Sequence, residues 1–306
     1  MTRRPRRLRP GDRVALVAPA ASVPADTLAA GALRLRSWGL EVVSGGHVLD
    51  RHPRLDYLAG TDADRAADLV RSWCDPAVAA VFAVRGGYGT LRVLHLLDWP
   101  AMRAAGPKVL VGSSDLTALH QVLSPALDVV TLFGPMPATP ALVEDEEAAE
   151  HLRRTLFDPQ SVLTLGRGTP LVGGTARGPL VGGTLSLLVS SLGVPGVPAP
   201  PHGAVVLLED VHEEPYRLDH FLTHLLRAGW LDGAAGVALG SWLDCGPPEA
   251  VREVMADRLG GLGIPVAWEV GFGHGPAAFT VPLGAVATLD ADAGTLTLDA
   301  PPLDPR

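Results

Sequence analysis

Cysteine and lysine are both scarce in this sequence. Its 306 residues include two cysteines, Cys74 and Cys245, which stand far apart and form no C-x-x-C pair. This spacing argues against a disulfide framework or a zinc knuckle and favours reduced thiols in the cytoplasm. Lys108 is the only lysine. Because it stands at the start of a predicted strand, Schiff-base and Ser–Lys mechanisms have no good candidate residue.

A net positive charge and long apolar runs are also lacking. The chain has 25 basic and 33 acidic residues, a formal net charge of -8, which gives no support for nucleic-acid binding. No apolar run is long enough to span a membrane. The arginine-rich start and the apolar residues 14–18 imitate a secretory signal, but Pro19 ends the apolar run at once. We therefore predict a first buried strand here, in a cytoplasmic protein that binds neither nucleic acid nor membrane.

Strand and helix patterns alternate through the first half of the chain. Helical patterns separate apolar strand-like segments at residues 14–18, 40–43, 78–84 and 109–111. This rhythm predicts a parallel sheet covered on both faces. Glycine and proline become dense after residue 160, as is typical of a linker. We therefore predict an N-terminal α/β domain at 1–160, a linker at 161–179 and a smaller, strand-rich C-terminal α/β domain at 180–306.

The segment from Lys108 to His120 is central to the functional interpretation. Its strand runs into Gly-Ser113-Ser114-Asp115, and a helical pattern follows at once. A serine on such a turn stands above the end of the sheet, beside backbone N–H groups and the helix dipole, as acyl-transfer nucleophiles do. The alternative is that Ser114 only caps the helix, with Asp115 favouring its positive end.

Other chemically useful residues follow the remaining apolar strands. Residues 85–89 (Arg-Gly-Gly-Tyr-Gly) follow one strand, Glu209 and Asp210 end another, and His274 lies in a glycine-rich segment after a third. Ligands of open α/β sheets bind at the carboxyl ends of the strands. With Ser114, these segments supply the hydroxyl, carboxylate, imidazole and backbone amides of a Ser-His-acid hydrolase.

The glycine loop at residues 85–89 is predicted to form an oxyanion hole. The N–H of Gly86 or Gly87 would be one donor and the N–H of Asp115 the other. The loop could instead cradle a phosphate, although it matches neither the dinucleotide-binding nor the P-loop pattern.

The acidic and histidine candidates have alternatives as well. His274 could be a structural turn residue, and Glu209 and Asp210 could simply mark the exit of a strand into solvent. Since neighbouring strand residues face opposite sides, we expect Asp210 to point away from Glu209. His220 and His224 stand four apart on a helix, but they lie off its apolar stripe and form no H-E-x-x-H motif. We expect these two histidines on a solvated or interface surface and predict no metal site.

In combination, these motifs resemble the LD-carboxypeptidase family, the muramoyltetrapeptide carboxypeptidases, which also contains the microcin C self-immunity peptidases. The matching segments run in the family's order over nearly the whole chain. They are residues 11–14 (Gly-Asp-Arg-Val), 59–61 (Ala-Gly-Thr), 85–89, 112–120, 134–136 (Gly-Pro-Met), 182–186 (Gly-Gly-Thr-Leu-Ser), 208–211 (Leu-Glu-Asp-Val) and 271–275 (Gly-Phe-Gly-His-Gly).

The resemblance implies a catalytic triad, with Ser114 as nucleophile, Glu209 as acid and His274 as base, and no cofactor. It implies an N-terminal flavodoxin-like domain, a C-terminal swivelling α/β domain and a homodimer. The implied activity is removal of the terminal D-alanine from peptidoglycan tetrapeptides during cytoplasmic cell-wall recycling. Arg85, Tyr88 and Ser113 are candidate substrate-binding residues, and Arg85 is the candidate for the substrate's terminal carboxylate.

Two residues depart from the family pattern. Ser113 stands where an aromatic residue is usual, and Thr184 replaces the asparagine of a Gly-Gly-Asn-Leu motif. These departures concern the substrate more than the chemistry. One alternative is therefore a microcin-immunity-type hydrolase of aminoacyl-nucleotide amides, in which Trp230 or Trp242 could contact the nucleobase. Another is a two-domain small-molecule binding protein without catalysis.

Overall fold

The computed structural model describes residues 2–306. The strands are β1 (Arg13–Val17), β2 (Glu41–Ser44), β3 (Val78–Ala83), β4 (Val109–Gly112), β5 (Thr131–Phe133), β6 (Thr164–Leu165), β7 (Thr169–Val172), β8 (Thr175–Thr184), β9 (Val205–Val211), β10 (Gly236–Leu243), β11 (Val266–Trp268), β12 (Val281–Leu283), β13 (Val286–Asp290) and β14 (Thr295–Leu298). The α-helices are α1 (Ala25–Ser37), α2 (Asp62–Cys74), α3 (Thr90–Val93), α4 (Trp99–Ala105), α5 (Thr117–Leu127), α6 (Pro140–Val143), α7 (Glu146–Phe157), α8 (Leu185–Ser190), α9 (Pro215–Arg227) and α10 (Pro248–Leu259).

The first sheet has the strand order β12-β5-β4-β3-β1-β2. Strands β1 to β5 pair in parallel, and β12 joins the edge antiparallel to β5. The parallel strands have the flavodoxin-like order, in which the direction of winding reverses between β1 and β3. Apolar residues of α1 and α7 pack on one face of this sheet, and those of α2 and α5 on the other. The predicted N-terminal fold is therefore confirmed.

The second sheet has the strand order β6-β14-β13-β8-β9-β10-β11-β7. Its centre, β8 to β11, is parallel, and antiparallel strands flank it on both sides. Helices α9 and α10 cover one face. The other face packs with residues of β5 and β12 from the first sheet, including Phe133, whose ring meets that of Phe272 edge to face at 6.5 Å. The two sheets thus share an apolar core.

The segment predicted as a linker, residues 161–179, is folded into the second sheet instead. It contains β6, β7 and the first half of β8. Its glycines serve the turns between these short strands, since Gly166 and Gly174 have φ values of 133° and 117°. The dense glycine and proline residues therefore form tight turns between strands of the sheet. Composition alone does not distinguish such turns from a linker.

The C-terminal part of the chain also returns to the first sheet. After β11, residues 269–280 leave the second sheet and lead into β12, at the edge of the first sheet. His274 lies on this crossing segment, so the fold holds it at the boundary between the sheets. Among residues 2–306, no helix combines the length and apolar character needed to cross a lipid bilayer.

Candidate active site

Ser114 occupies a strained position directly after β4. Its φ of 59° lies in the left-handed region, which costs a residue with a side chain roughly 1–2 kcal/mol. Ser114 is the first residue of a 3₁₀ turn, Ser114–Leu116, and Leu116 holds the N-cap position of α5. Ser114 therefore does not cap the helix, contrary to the alternative considered above. A strained serine between a strand and a helix is the geometry in which hydrolases expose a nucleophile.

The glycine loop lies against this turn. A Cβ atom built on Gly86 would lie 3.0 Å from Ser114 Oγ and 3.2 Å from the backbone nitrogen of Asp115. Any side chain at Gly86 would thus occupy the space beside the hydroxyl. Gly87 follows with a φ of 99°. The backbone of the loop and the N–H of Asp115 therefore border the same small space, as an oxyanion hole requires.

The side chain of Asp115 braces the glycine loop. It is buried, and its Oδ2 accepts a hydrogen bond of 2.7 Å from the backbone N–H of Thr90, the first residue of α3. The buried Arg65 donates to the carbonyl of Gly89 at 3.0 Å. Burial raises the pKa of Asp115, although the hydrogen bond from the N–H of Thr90 opposes the shift. The sequence suggested Asp115 at the start of its own helix, whereas its carboxylate binds the start of another one.

Glu209 and Asp210, at the end of β9, are both buried and point in opposite directions, as predicted. Oδ2 of Asp210 accepts a hydrogen bond of 2.8 Å from the N–H of Ser186, whereas Oε2 of Glu209 lies 2.7 Å from Nδ1 of His274. Neither carboxylate marks an exit into solvent. Burial raises the pKa of Asp210 to about 6, and the neighbouring charge of Glu209 adds to the rise.

His274 is 23% exposed, although its partner Glu209 is fully buried. The loop that carries it is fixed to β10, because Ser241 Oγ accepts a hydrogen bond of 2.8 Å from the N–H of Gly275. Burial lowers the pKa of the imidazole, but the charge of Glu209, the hydrogen bond to it and the charge of Asp210 together raise the pKa above its ordinary value. A histidine oriented by a buried carboxylate is the arrangement of a general base.

Thr184, at the end of β8, connects Glu209 to the helix that follows Ser114. Its hydroxyl donates to Oε1 of Glu209 at 2.5 Å, and its backbone N–H donates to Oγ1 of Thr117 at 3.1 Å. Thr117 lies in the first turn of α5, three residues beyond Ser114. The sequence marked Thr184 only as a departure from a pattern. The structure adds direct bonds to both halves of the site, which no local signal in the sequence could have indicated.

A cleft opens where the winding of the first sheet reverses, between β1 and β3. It has a volume of about 490 Å³ and is lined by Ala21, Ser22, Tyr57, Arg85, Gly87 and Tyr88. One guanidinium N–H of Arg85 donates to the carbonyl of Ser22 at 3.2 Å. The half-exposed rings of Tyr57 and Tyr88 lie 5.9 Å apart. Two candidate substrate-binding residues thus line one cleft, together with Tyr57, which is not among the residues predicted from the sequence. Ser113 is partly exposed beside Ser114 and does not line this cleft.

The residues on which a metal site or a nucleobase contact would depend lie outside this cleft. His220 and His224 are exposed on α9, where their rings stack with centroids 6.5 Å apart. In the described part of the chain, no group of three or more potential metal-ligating side chains is found. Trp230 and Trp242 are buried in the core beneath α9 and α10, and are therefore not free to contact a nucleobase.

Models of known families match both parts of the chain. The LD-carboxypeptidase N-terminal domain matches residues 14–134, and the LD-carboxypeptidase C-terminal domain matches residues 177–289. A putative carboxypeptidase of Streptomyces coelicolor is 58% identical over 302 residues, which cover 98% of this chain and 97% of that protein. The murein tetrapeptide carboxypeptidase of Pseudomonas aeruginosa is 32% identical over 294 residues, which cover 92% and 94%.

Solved structures agree with these sequence matches. The muramoyltetrapeptide carboxypeptidase from Oxalobacter formigenes has a TM-score of 0.80 at 28% identity, over 94% of this chain and 97% of that one. MccF, solved in complex with glutamyl sulfamoyl guanosine, has a TM-score of 0.88 at 21% identity, over 98% and 99%. At that identity, the likeness to MccF concerns the fold alone.

Proposed function

Because this chain belongs to the LD-carboxypeptidase family and is a serine-type carboxypeptidase, we propose that it removes the terminal D-alanine from peptidoglycan tetrapeptides through a triad of Ser114, Glu209 and His274. The observation that carries the triad is the 2.7 Å contact between Nδ1 of His274 and the fully buried Glu209. The strained Ser114 lies on the turn that precedes α5, and hydrogen bonds of Thr184 connect the first turn of that helix to Glu209.

The proposed reaction follows from the direction of these hydrogen bonds. Nδ1–H of His274 donates to Glu209, which leaves Nε2 free to accept the proton of Ser114. Ser114 Oγ then attacks the carbonyl carbon of the scissile bond. The N–H of Asp115 and that of Gly86 or Gly87 would stabilise the resulting oxyanion. His274 next protonates the leaving amine of D-alanine, and water hydrolyses the acyl-enzyme with His274 again acting as base.

The cleft beside the glycine loop is the proposed substrate site. It adjoins Gly87, next to the proposed oxyanion hole. Arg85 supplies a positive charge and planar donors suited to a carboxylate, such as the terminal one of a tetrapeptide. Tyr88 supplies an exposed ring on which a peptide can pack. Ser113, beside the nucleophile, is the remaining proposed contact.

The proposal extends to the cellular setting. We propose a cytoplasmic homodimer that acts on recycled cell-wall peptides. Both cysteines, Cys74 and Cys245, are free thiols, which fits a reducing compartment. The homodimer rests on the family resemblance, and light scattering coupled to size-exclusion chromatography tests it directly: a mass near one chain would contradict it.

Mass spectrometry of products from a small muropeptide panel tests the activity. The panel contains a tetrapeptide that ends in an L,D bond to D-alanine, the matching pentapeptide that ends in a D,D bond, and an aminoacyl sulfamoyl nucleotide. We expect release of D-alanine from the tetrapeptide only. Cleavage of the nucleotide alone would support the microcin-immunity alternative, and cleavage of none of the three would support the binding-protein alternative.

A further inference from the structure

Thr184 uses its side chain and its backbone to bond different parts of the site. Its hydroxyl donates to Oε1 of Glu209, while Oε2 of the same carboxylate is bound by His274. Its backbone N–H donates to Oγ1 of Thr117 on α5. Thr184 is 2% exposed and Thr117 is fully buried, so water does not compete for these bonds.

The neighbouring Gly183 brings the two elements together at this point. Its φ is 140°, and a Cβ atom built on it would lie 2.6 Å from Oγ1 of Thr117 and 3.2 Å from Phe133 Cε2. Only a residue without a side chain allows β8 to approach α5 this closely. The closeness is what lets the next residue, Thr184, bond across the boundary between the two sheets.

We propose that Thr184 is a positioning residue, which fixes the rotation of the Glu209 carboxylate and holds it in register with the helix that follows Ser114. The proposal rests on the proposed triad, and it assigns a role to a residue that touches no reacting atom. With Thr184 on Oε1 and His274 on Oε2, each carboxylate oxygen has a donor, so the carboxylate plane cannot turn without losing one of them.

The hydroxyl also donates to the carboxylate that faces the imidazole. Glu209 and Asp210 are the carboxylates whose charges act on His274. When His274 is neutral, the hydroxyl of Thr184 helps to stabilise the buried charge of Glu209. When His274 is charged, the imidazolium also stabilises that charge, so removal of the hydroxyl costs the neutral form of His274 more. The pKa of His274 should therefore rise. A residue that merely filled space would not move this pKa.

The test compares Thr184→Val, which keeps the shape and loses the hydroxyl, with Thr184→Ser, which keeps the hydroxyl. We expect Thr184→Val to lower kcat by on the order of 10–100-fold, with KM nearly unchanged, because small errors of position are costly in catalysis. The acid limb of its kcat/KM profile should shift to higher pH. Thr184→Ser should restore kcat and the acid limb to near wild-type values.

NMR titration of His274 separates this proposal from the proposed function, because it needs no substrate. The signal is assigned by its loss in His274→Gln, and the pKa is compared between wild type and Thr184→Val. A higher pKa in the variant supports the positioning role even if wild type cleaves no muropeptide, an outcome that would refute only the proposed function. An unchanged pKa overturns the positioning role, as does a loss of kcat that serine fails to restore. If Thr184→Val does not fold, the smaller Thr184→Ala carries the same test.

Discussion

The proposed nucleophile turn (residues 112–116) is held by its backbone, whereas the proposed acid–base pair of Glu209 and His274 is held by side-chain hydrogen bonds. In the turn, Ser114 has an unfavourable φ of 59°, and a closely packed glycine leaves the space beside its hydroxyl open. In the pair, each oxygen of Glu209 accepts a bond from a different side chain. In the proposed triad, the two sheets therefore contribute unlike parts: the first supplies the hydroxyl and the backbone N–H groups beside it, and the second supplies the carboxylate that orients the base.

The largest effect should come from the turn. Ser114→Ala should fold and lose on the order of 10⁴-fold or more in kcat, because triad members act as a unit. Steady-state hydrolysis of the L,D-tetrapeptide measures the loss, and circular dichroism checks the fold. Ser113→Ala is the matched control and should keep most activity. The reverse result would mean that Ser113 is the nucleophile.

Substitution of the proposed acid, Glu209, should have the second-largest effect on kcat. Glu209→Gln should lower kcat by roughly 10²–10⁴-fold, by analogy with amide replacement of a triad acid. The exposed Glu214 and its half-buried neighbour Glu213 lie past the strand, and their glutamine variants should stay within about tenfold of wild type, as expected for residues outside the site. Near-normal turnover by Glu209→Gln would show that another carboxylate serves His274.

Loss of the hydrogen bond between Asp115 and Thr90, which connects the nucleophile turn to the glycine loop, should have a smaller effect. Asp115→Ala leaves the buried N–H of Thr90 without its acceptor, which should cost about 1–3 kcal/mol of unfolding free energy. We also expect a fall in kcat, since the loop that carries Gly86 loses one of the contacts that hold it, although the bond from Arg65 to the carbonyl of Gly89 remains. Asp115→Asn is the control, because its amide oxygen can still accept from Thr90. Equal stability of Asp115→Ala and wild type in urea denaturation would contradict the brace.

The pH profile of hydrolysis tests the effect of the nearby carboxylates on His274. A general base must be neutral, and the pKa of His274 is raised, so kcat/KM should fall as the pH drops through a midpoint above the ordinary value of 6.5. Asp210→Asn removes one of the charges that raise this pKa and should move the midpoint to lower pH. A midpoint below 6.5 in wild type would show that the charges of Glu209 and Asp210 do not dominate over burial.

The smallest expected effect is that of chelation. Since His274 activates Ser114 in the proposed reaction, hydrolysis should survive exhaustive EDTA treatment and dialysis. Loss of activity that returns on addition of Zn²⁺ would instead direct attention to His220 and His224.

The sequence predicted the two halves of the site unequally well. The strand, turn and helix around Ser114 were readable locally, because apolar patterning and Gly-Ser-Ser-Asp mark them within a few residues. The alternation of side chains along β9 was also enough to separate Glu209 from Asp210. Resemblance to a family was needed to pair Glu209 with His274, since 65 residues separate them.

Other features could not be predicted because they depend on distant packing. Asp115 was expected to serve its own helix, and only the position of α3 shows that it binds Thr90 instead. The strands at residues 164–172 were hidden by turn-forming glycines and prolines, and they are paired with residues of β11 and β14 far along the chain. The contact of Thr184 with Glu209 likewise exists only once β8 and β9 lie side by side.

Labelling with a fluorophosphonate probe, followed by peptide mapping, tests most directly whether the turn and the acid–base pair work together. We expect one labelled residue, Ser114, in the wild-type protein. Labelling should be much slower in His274→Ala and Glu209→Gln, in which Ser114 is present but no longer activated. Equally fast labelling of Ser114 in all three proteins, or a label on another residue, would contradict the proposed triad.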